Sequence, residues 1–361
     1  MVELLLRSRT VSHHLFILTA APFHPTSSQS HYLGLSITSS FHGMAPTRII
    51  LDTDLSMGAG ADVDDGFALA LAHADPDIQM DLVTTVNGNT DVESATILTG
   101  VLLNRLGIHE TPLFRGSATP IIHTDQKRTP APRVLALRET ARPPTPGYAP
   151  MAIVEHILAN PGQITVVAIG PLTNVAIALL LEPRIKWAIK ELVIMGGIFL
   201  GTMYSRDKPG EFNVFTDPEA ARAVLRSGMP QRWIGLDCTL QVRLSMTDAK
   251  ELKKAPSSFA AFAGDATIKY IDYQAVRFPG RPKTDSVPMH DPLAVAVVSR
   301  PDLCEYKEMA VSIITGDGEA RGVMIADRLE TPSPPVPNCR VAVSVNAEAF
   351  RSHFLTFIQK L

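Results

Sequence analysis

An open, mostly parallel (mixed) α/β sheet with helices on both faces, Rossmann-like, is the fold this sequence predicts, with its active site at the C-terminal ends of the strands. Three observations carry it. From Arg48 onward, short apolar runs alternate with segments of helical spacing, the pattern of strands joined by crossover helices. Polar, glycine-bearing signatures follow several of the runs directly, where open α/β sheets bind ligands. No internal repeat is evident, and 361 residues with 45% apolar content can bury a sizeable core.

Ile49–Leu51 reads as the first strand and delivers Asp52 and Asp54. A small-residue loop with Gly58 and Gly60 follows, then Asp62, Asp64 and Asp65, then a helix over Gly66–Ala74. Met80–Val86 is a second strand, closed by Asn87-Gly88-Asn89. Asp91–Leu106 places Ile97, Leu98, Val101, Leu102 and Leu106 on one helical face, and Gly107 stops it. Pro112–Arg115 reads as a short strand, and 117–150, rich in Pro, Arg and Thr, as a long surface loop. Then come a helix at Met151–Ala159, a strand at Ile164–Ile169, the turn Gly170-Pro171 and a helix at Leu172–Leu181. The strand Leu192–Met195 ends in Gly196-Gly197, and 198–212 reads as a loop. Asp217-Pro218-Glu219 opens a helix over Ala220–Ser227, with Pro in the first turn and acids near the positive end. Trp233–Leu236 is a strand, Leu244–Phe262 and Ala266–Val276 are helical, and Pro292–Val298 is a helix following His290-Asp291. Two late strands fall near Met309–Ile314 and Arg340–Val345.

Residues 1–43 differ from the rest. They hold one acidic residue, Glu3, with Arg7, Arg9 and five histidines, and their apolar patch is too short to span a bilayer. They read either as an organelle transit peptide, which implies a mitochondrial protein, or as sequence ahead of a natural start at Met44. The second reading is preferred, with 1–43 set aside and 44–361 taken as one domain. A net charge of −3 gives no footprint for nucleic acid or an anionic membrane. The cysteines Cys238, Cys304 and Cys339 are too widely spaced for a disulfide framework or a zinc pattern, so a cytoplasmic setting is expected.

Asp52, Asp54, Asp62, Asp64 and Asp65 put five carboxylates within fourteen positions. Such a group cannot stay ionised together without a counter-charge, and a hard divalent cation with oxygen ligands supplies one. The plainer alternative is a solvated acidic turn that caps the next helix.

The pieces DTD…DVDD, TTVNGN, VAIGPLTNVA, IMGG, EFNVFTDPEAA and MHDPLA occur in that order. Together they resemble the nucleoside hydrolase family of the inosine–uridine-preferring type, from about Arg48 to the C-terminus. The resemblance implies bound Ca²⁺, a ribose held against it, and hydrolysis of the N-glycosidic bond of a ribonucleoside by a Ca²⁺-bound water. By motif it assigns Asp54 as general base and metal contact, and Asp65, the Ile169 carbonyl and Asp291 as further metal ligands. It assigns Asp64, Asn89, Glu211 and Asn213 to the ribose hydroxyls and Met195 to packing against the sugar. His290 becomes the residue beside the leaving base, with a role as its proton donor. A homodimer or homotetramer is implied as well. Asp52 is expected to be structural and Asn174 a turn or cap residue, while Tyr270 and Tyr273 read as packing residues rather than a base-stacking shelf. The chain departs from the family pattern in the longer LSMGAGADV loop, which makes Asp62 a competitor for a role at the metal. It departs again near Ser205, where an asparagine is usual, and in 117–150, which lacks a His-Gly…Gly-Leu-Gly pattern. These departures leave the base preference open.

Two other readings fit parts of the sequence. One is a Ca²⁺-dependent ribose- or nucleoside-binding protein without catalysis, which would not need Asp54. The other is a Mg²⁺-dependent aspartyl-phosphate phosphohydrolase, whose nucleophile could follow a strand in Asp-Thr-Asp. Its second acidic pair is missing, since Thr315-Gly316-Asp317-Gly318 offers a single carboxylate.

Overall fold

The computed structural model describes residues 45–57, 61–123, 128–202, 204–205, 208–277, 284–329 and 331–361. The expected extension 1–43, the start at Met44, and Gly58 and Gly60 lie outside the described residues. Eight strands form the main sheet: β1 Thr47–Thr53, β2 Ile78–Thr85, β3 Leu113–Arg115, β4 Ile164–Ala168, β5 Glu191–Met195, β6 Gln231–Ile234, β7 Cys304–Met309 and β8 Cys339–Val345. Their spatial order is β7-β8-β6-β5-β4-β1-β2-β3. The β7–β8 pair is antiparallel and all the others are parallel, so the sheet is mixed and mostly parallel.

The apolar runs become central strands because both faces of the sheet are covered. In β1, Ile49 and Leu51 point into a core shared with Phe67, Phe259 and Phe354, while Ile50 points the other way, toward Val166 and Trp233. That is the two-residue period of a strand read out as two cores. On the first face lie α1 Asp64–Ala74 and α2 Val92–Arg105. Asp91 caps α2 by accepting from the Ser94 amide at 2.9 Å. The crossovers that follow are α3 Ala149–Ala159 and α4 Thr173–Leu181. Next come α5 Phe212–Thr216 and α6 Pro218–Leu225, then α7 Met246–Lys253, α8 Ser258–Arg277, α9 His290–Ser299 and α10 Ala347–Ile358.

Several local expectations are corrected. The stretch 244–276 does not break at 263–265. Arg243–Ser245 is a short strand, Ser245 caps α7 in a reciprocal box with Asp248, and α8 then runs unbroken from Ser258. The stretch read as a loop at 198–212 carries a two-stranded antiparallel pair, Tyr204–Ser205 with Lys208–Pro209. The loop at 117–150 holds one helical turn, Pro132–Leu135. The late strand expected at Met309–Ile314 is two pieces, β7 ending at Met309 and Val311–Ile313 pairing with Met324–Ala326. The last helix, α10, was missing from the expected pattern. It buries Phe350 and Phe354 at i, i+4, and Phe354 meets the Phe67 ring edge-on at 5.3 Å. No helix among the described residues is long and apolar enough to cross a membrane.

Candidate active site

β1 carries its two carboxylates to different fates. Asp52 Oδ1 accepts from the Thr84 hydroxyl at 2.6 Å and from Asn174 Nδ2 at 2.7 Å. Asn174 also donates to the Thr85 carbonyl and accepts from the Ser117 amide, so it ties three segments together. It is not the cap of α4, whose N-cap is Leu172 with no side-chain cap bond. Asp54, just beyond the strand, is different. Its Oδ2 accepts from the Asn89 amide at 2.5 Å, while its Oδ1 is buried with no hydrogen-bond partner among the described residues. The slot that admits it is built from glycines. A Cβ on Gly88 would sit 1.9 Å from Asp54 Oδ2, and one on Gly170 would sit 3.0 Å from Oδ1. The Gly88 and Gly170 turns therefore close on this carboxylate from two sides.

α1 and α9 both begin at the site. Asp64 and Asp65 stand in the first turn of α1 and Asp291 in that of α9. A carboxylate there meets the positive end of a helix dipole. Oxygens of Asp64, Asp65 and Asp291 lie within 4.8 Å of one another, all three residues being buried. Asp65 is further held by the Thr53 hydroxyl at 2.6 Å and Asn89 Nδ2 at 2.9 Å. Its grouping with Asp64 and Asp291 brings into one cluster a residue expected at the ribose, Asp64, and two expected at the metal.

The electrostatics follow from crowding without water. Burial, then the neighbouring Asp65, pushes Asp54 well above the usual carboxylate range. Burial does the same to Asp64, with Asp62 and Asp65 adding to it, and to Asp291, with Asp64 and Asp65 adding to it. Burial raises Asp65 to about 6 against the hydrogen bonds from Thr53 and Asn89. Four buried acids with one orphaned oxygen are a donor set for a hard cation, and the all-oxygen chemistry excludes a soft-metal site.

The far wall comes from β4, β5 and α5. Glu211 caps α5, accepting from the amides of Asn213 at 2.7 Å, Val214 at 2.9 Å and Gly197 at 3.1 Å. Burial nevertheless holds its carboxyl above the ordinary range. Asn213 Nδ2 donates to the Ile169 carbonyl at 3.0 Å and to the Met195 carbonyl at 3.3 Å, so this residue joins the two loops that end β4 and β5. His290, partly buried, faces Thr239 Oγ1 through Nδ1 at 2.7 Å, and burial lowers its pKa to about 4.

Three site residues were not singled out in the sequence. Thr239, which orients His290, carries no local signal. Arg128 lies over the Phe212 ring at 5.6 Å, and its charge partly offsets the upward push on Asp54. Its only cue is the arginine content of the 117–150 loop. Gln274 donates to the Tyr270 hydroxyl at 2.5 Å, and that hydroxyl donates to Asp62 Oδ2 at 2.8 Å. Asp62 is thus engaged with α8, and Tyr270 acts as a buried strut.

A family model described as inosine-uridine preferring nucleoside hydrolase matches residues 49–352. The chain is 30% identical over 311 residues to the inosine-uridine preferring nucleoside hydrolase of Leishmania major, covering 84% of this chain and 94% of that protein. Among solved structures it is similar to a plant nucleoside hydrolase at TM-score 0.77 and 26% identity, covering 88% of this chain and 100% of the other. It is also similar to a purine-preferring ribonucleoside hydrolase from Gardnerella vaginalis at TM-score 0.73 and 28% identity, covering 87% and 98%.

Proposed function

The chain belongs to the inosine-uridine preferring nucleoside hydrolase family, and on that premise we propose that it cleaves ribonucleosides to free base and ribose at a Ca²⁺ site centred on Asp54. The observation that carries this reading is the buried, unpartnered Oδ1 of Asp54 beside the cluster of Asp64, Asp65 and Asp291. Asp54, Asp65, Asp291 and the Ile169 carbonyl would hold the cation, which supplies Lewis acidity that lowers the pKa of a water.

The protein's own groups do the rest. Asp54 takes the proton of the attacking water, a role open to its unpartnered Oδ1. Asp64, Asn89, Glu211 and Asn213 hold the ribose hydroxyls, and Met195 packs against the sugar. Positive charge develops on that sugar as the glycosidic bond opens, and the surrounding carboxylates stabilise it. His290 is neutral near pH 7 because its pKa is lowered to about 4 by burial. Nδ1 pairs with the Thr239 hydroxyl; in the tautomer where that hydroxyl donates, Nε2 carries the proton and His290 serves the leaving base as a hydrogen-bond donor.

The remaining parts of the reading rest on simpler support. Three free, buried cysteines support a cytoplasmic setting. Leu180, Leu181 and Trp187 are exposed at 66%, 53% and 74%, which supports a homodimer or homotetramer. Neither nucleic acid nor membrane is a partner in this proposal.

The test is reducing-sugar release from uridine, cytidine, inosine, adenosine and nicotinamide riboside, with and without exhaustive chelation. Release that chelation removes and Ca²⁺ restores is the expected result, and the panel names the base. Silence across the panel with Ca²⁺ bound would replace this reading with a ribose-binding protein.

A further inference from the structure

At the amino ends of the strands, opposite the acid cluster, lies a cavity of about 320 Å³ lined by Lys190, Arg232 and Arg340, with Glu191, Tyr306 and Thr165 between them. Three cations face one carboxylate. Arg232 is buried, and Glu191 holds it through both oxygens at 2.7 Å while its Nη1 donates to the Val297 carbonyl at 3.2 Å. Arg340 is the register partner of Arg232 across the parallel β6–β8 pair, so two arginines share one face side by side. Both guanidinium groups approach the Tyr306 ring, at 5.5 and 5.2 Å from its centre. Glu308 stands opposite Arg340 in the β7–β8 register, but no ion pair forms between them, and none forms on Lys190 among the described residues.

Like charges placed opposite each other in a sheet destabilise it unless something between them is negative. Glu191 neutralises only one of the three cations. The Arg232 fork is taken by Glu191 and its Nη1 by the Val297 carbonyl and the Tyr306 hydroxyl, so Lys190 and Arg340 are the cavity's cations without an ion pair among the described residues. Two cations without an ion pair, beside a guanidinium already neutralised by Glu191, leave the cavity net positive, which suits a tetrahedral dianion. We propose that this cavity is a second ligand site that takes a phosphate group, inorganic or carried on a small sugar. It does not depend on the hydrolase reading, since none of its residues is near Asp54.

The experiment is titration calorimetry on the full chain, with inorganic phosphate and ribose 5-phosphate as separate probes, each run without ribose and again with excess ribose. Binding of either probe is expected, weakened by at least about tenfold for each cation removed in Lys190→Ala and Arg340→Gln. Both side chains are exposed, so these variants keep the fold. Ribose 5-phosphate binding more tightly than phosphate assigns a phosphorylated sugar, and equal affinity assigns inorganic phosphate. Absence of binding by both probes at millimolar concentration overturns the proposal. So does binding that excess ribose abolishes, or binding unchanged in the Lys190→Ala/Arg340→Gln double variant.

Discussion

The two ends of the main sheet treat buried charge in opposite ways. At the amino end, Asp81, Glu191 and Asp75 each face a basic side chain. Arg48 and His156 both reach Asp81 at 2.7 Å, Arg232 grips Glu191, and Asp75 takes a bond from Ser299 at 2.6 Å with His353 at 3.1 Å. At the carboxyl end, Asp54, Asp64, Asp65 and Asp291 are buried with no ion pair to Lys or Arg among the described residues, and Arg128 is the cation whose charge reaches Asp54. Burial costs a charge heavily in either place. What differs is compensation: basic side chains supply it at one end, and at the other the proposed cation would supply it. Buried acids without a basic partner are the candidates for function here, and acids with one hold the sheet together.

That contrast can be broken experimentally, and the largest effect belongs to Asp54. Asp54→Asn should lower kcat roughly 10²–10⁴-fold, the range for removal of a general base. The same change should leave the urea midpoint unchanged or raised, because an uncompensated charge is gone. Full activity would end its assignment as base, and a collapsed midpoint would make it structural. At the other end the expectation inverts. Glu191→Ala leaves Arg232 buried without its partner, and should cost about 3 kcal/mol of stability with kcat per folded molecule intact. A loss below about 1 kcal/mol would show that solvent already does what Glu191 is credited with.

Metal removal comes next in size. A cation present at about a hundred times its Kd stabilises the folded state by about 2.7 kcal/mol, so exhaustive chelation should lower Tm and added Ca²⁺ should restore it. An unmoved Tm would mean that the acids at the carboxyl end are compensated by their own protons. The smallest effect is in acid. Burial pushes Asp75 up, but His353, Ser299 and the Asp77 amide outweigh it and hold Asp75 below its ordinary range. Its contribution is therefore present above the unfolded-state pKa and is lost as pH falls through the lower folded value, below about pH 4. Asp75→Asn should flatten that part of the stability curve in urea melts run across the acid range. An identical slope would remove Asp75 from the list of compensated acids.

Much of this was legible in the sequence because strand and site share one signal. An apolar run such as Ile49–Leu51 must lie inside a covered sheet, and the carboxylates that follow it must then stand at a strand end. The helix starts at Asp91 and Asp217 were legible through capping chemistry, which is local. What failed was non-local. Nothing near Asn174 says that its amide will cross-link Asp52 to Ser117. Nothing near Asp62 says that its partner is Tyr270, 208 residues later. α10 was legible but went unread: Asn346 caps it, accepting from the Ala349 amide at 3.0 Å, and Phe350, Phe354 and Ile358 recur at helical spacing. Arg128 escaped because a proline- and arginine-rich loop carries no periodicity to say which cation turns inward.

The long reach between Asp62 and Tyr270, and between Asp64 and Asp291 at 227 residues, also orders events in time. During synthesis the first three strands and α1 emerge with Asp54, Asp64 and Asp65 still facing water, where they ionise freely and hold a cation only loosely. Contacts of such high sequence separation form late, after the loop-closure entropy of the intervening chain has been met. Only when α8 and α9 arrive do these acids lose their solvent. On the proposed metal reading, the complete acid cluster therefore exists only in a chain that has folded through α9.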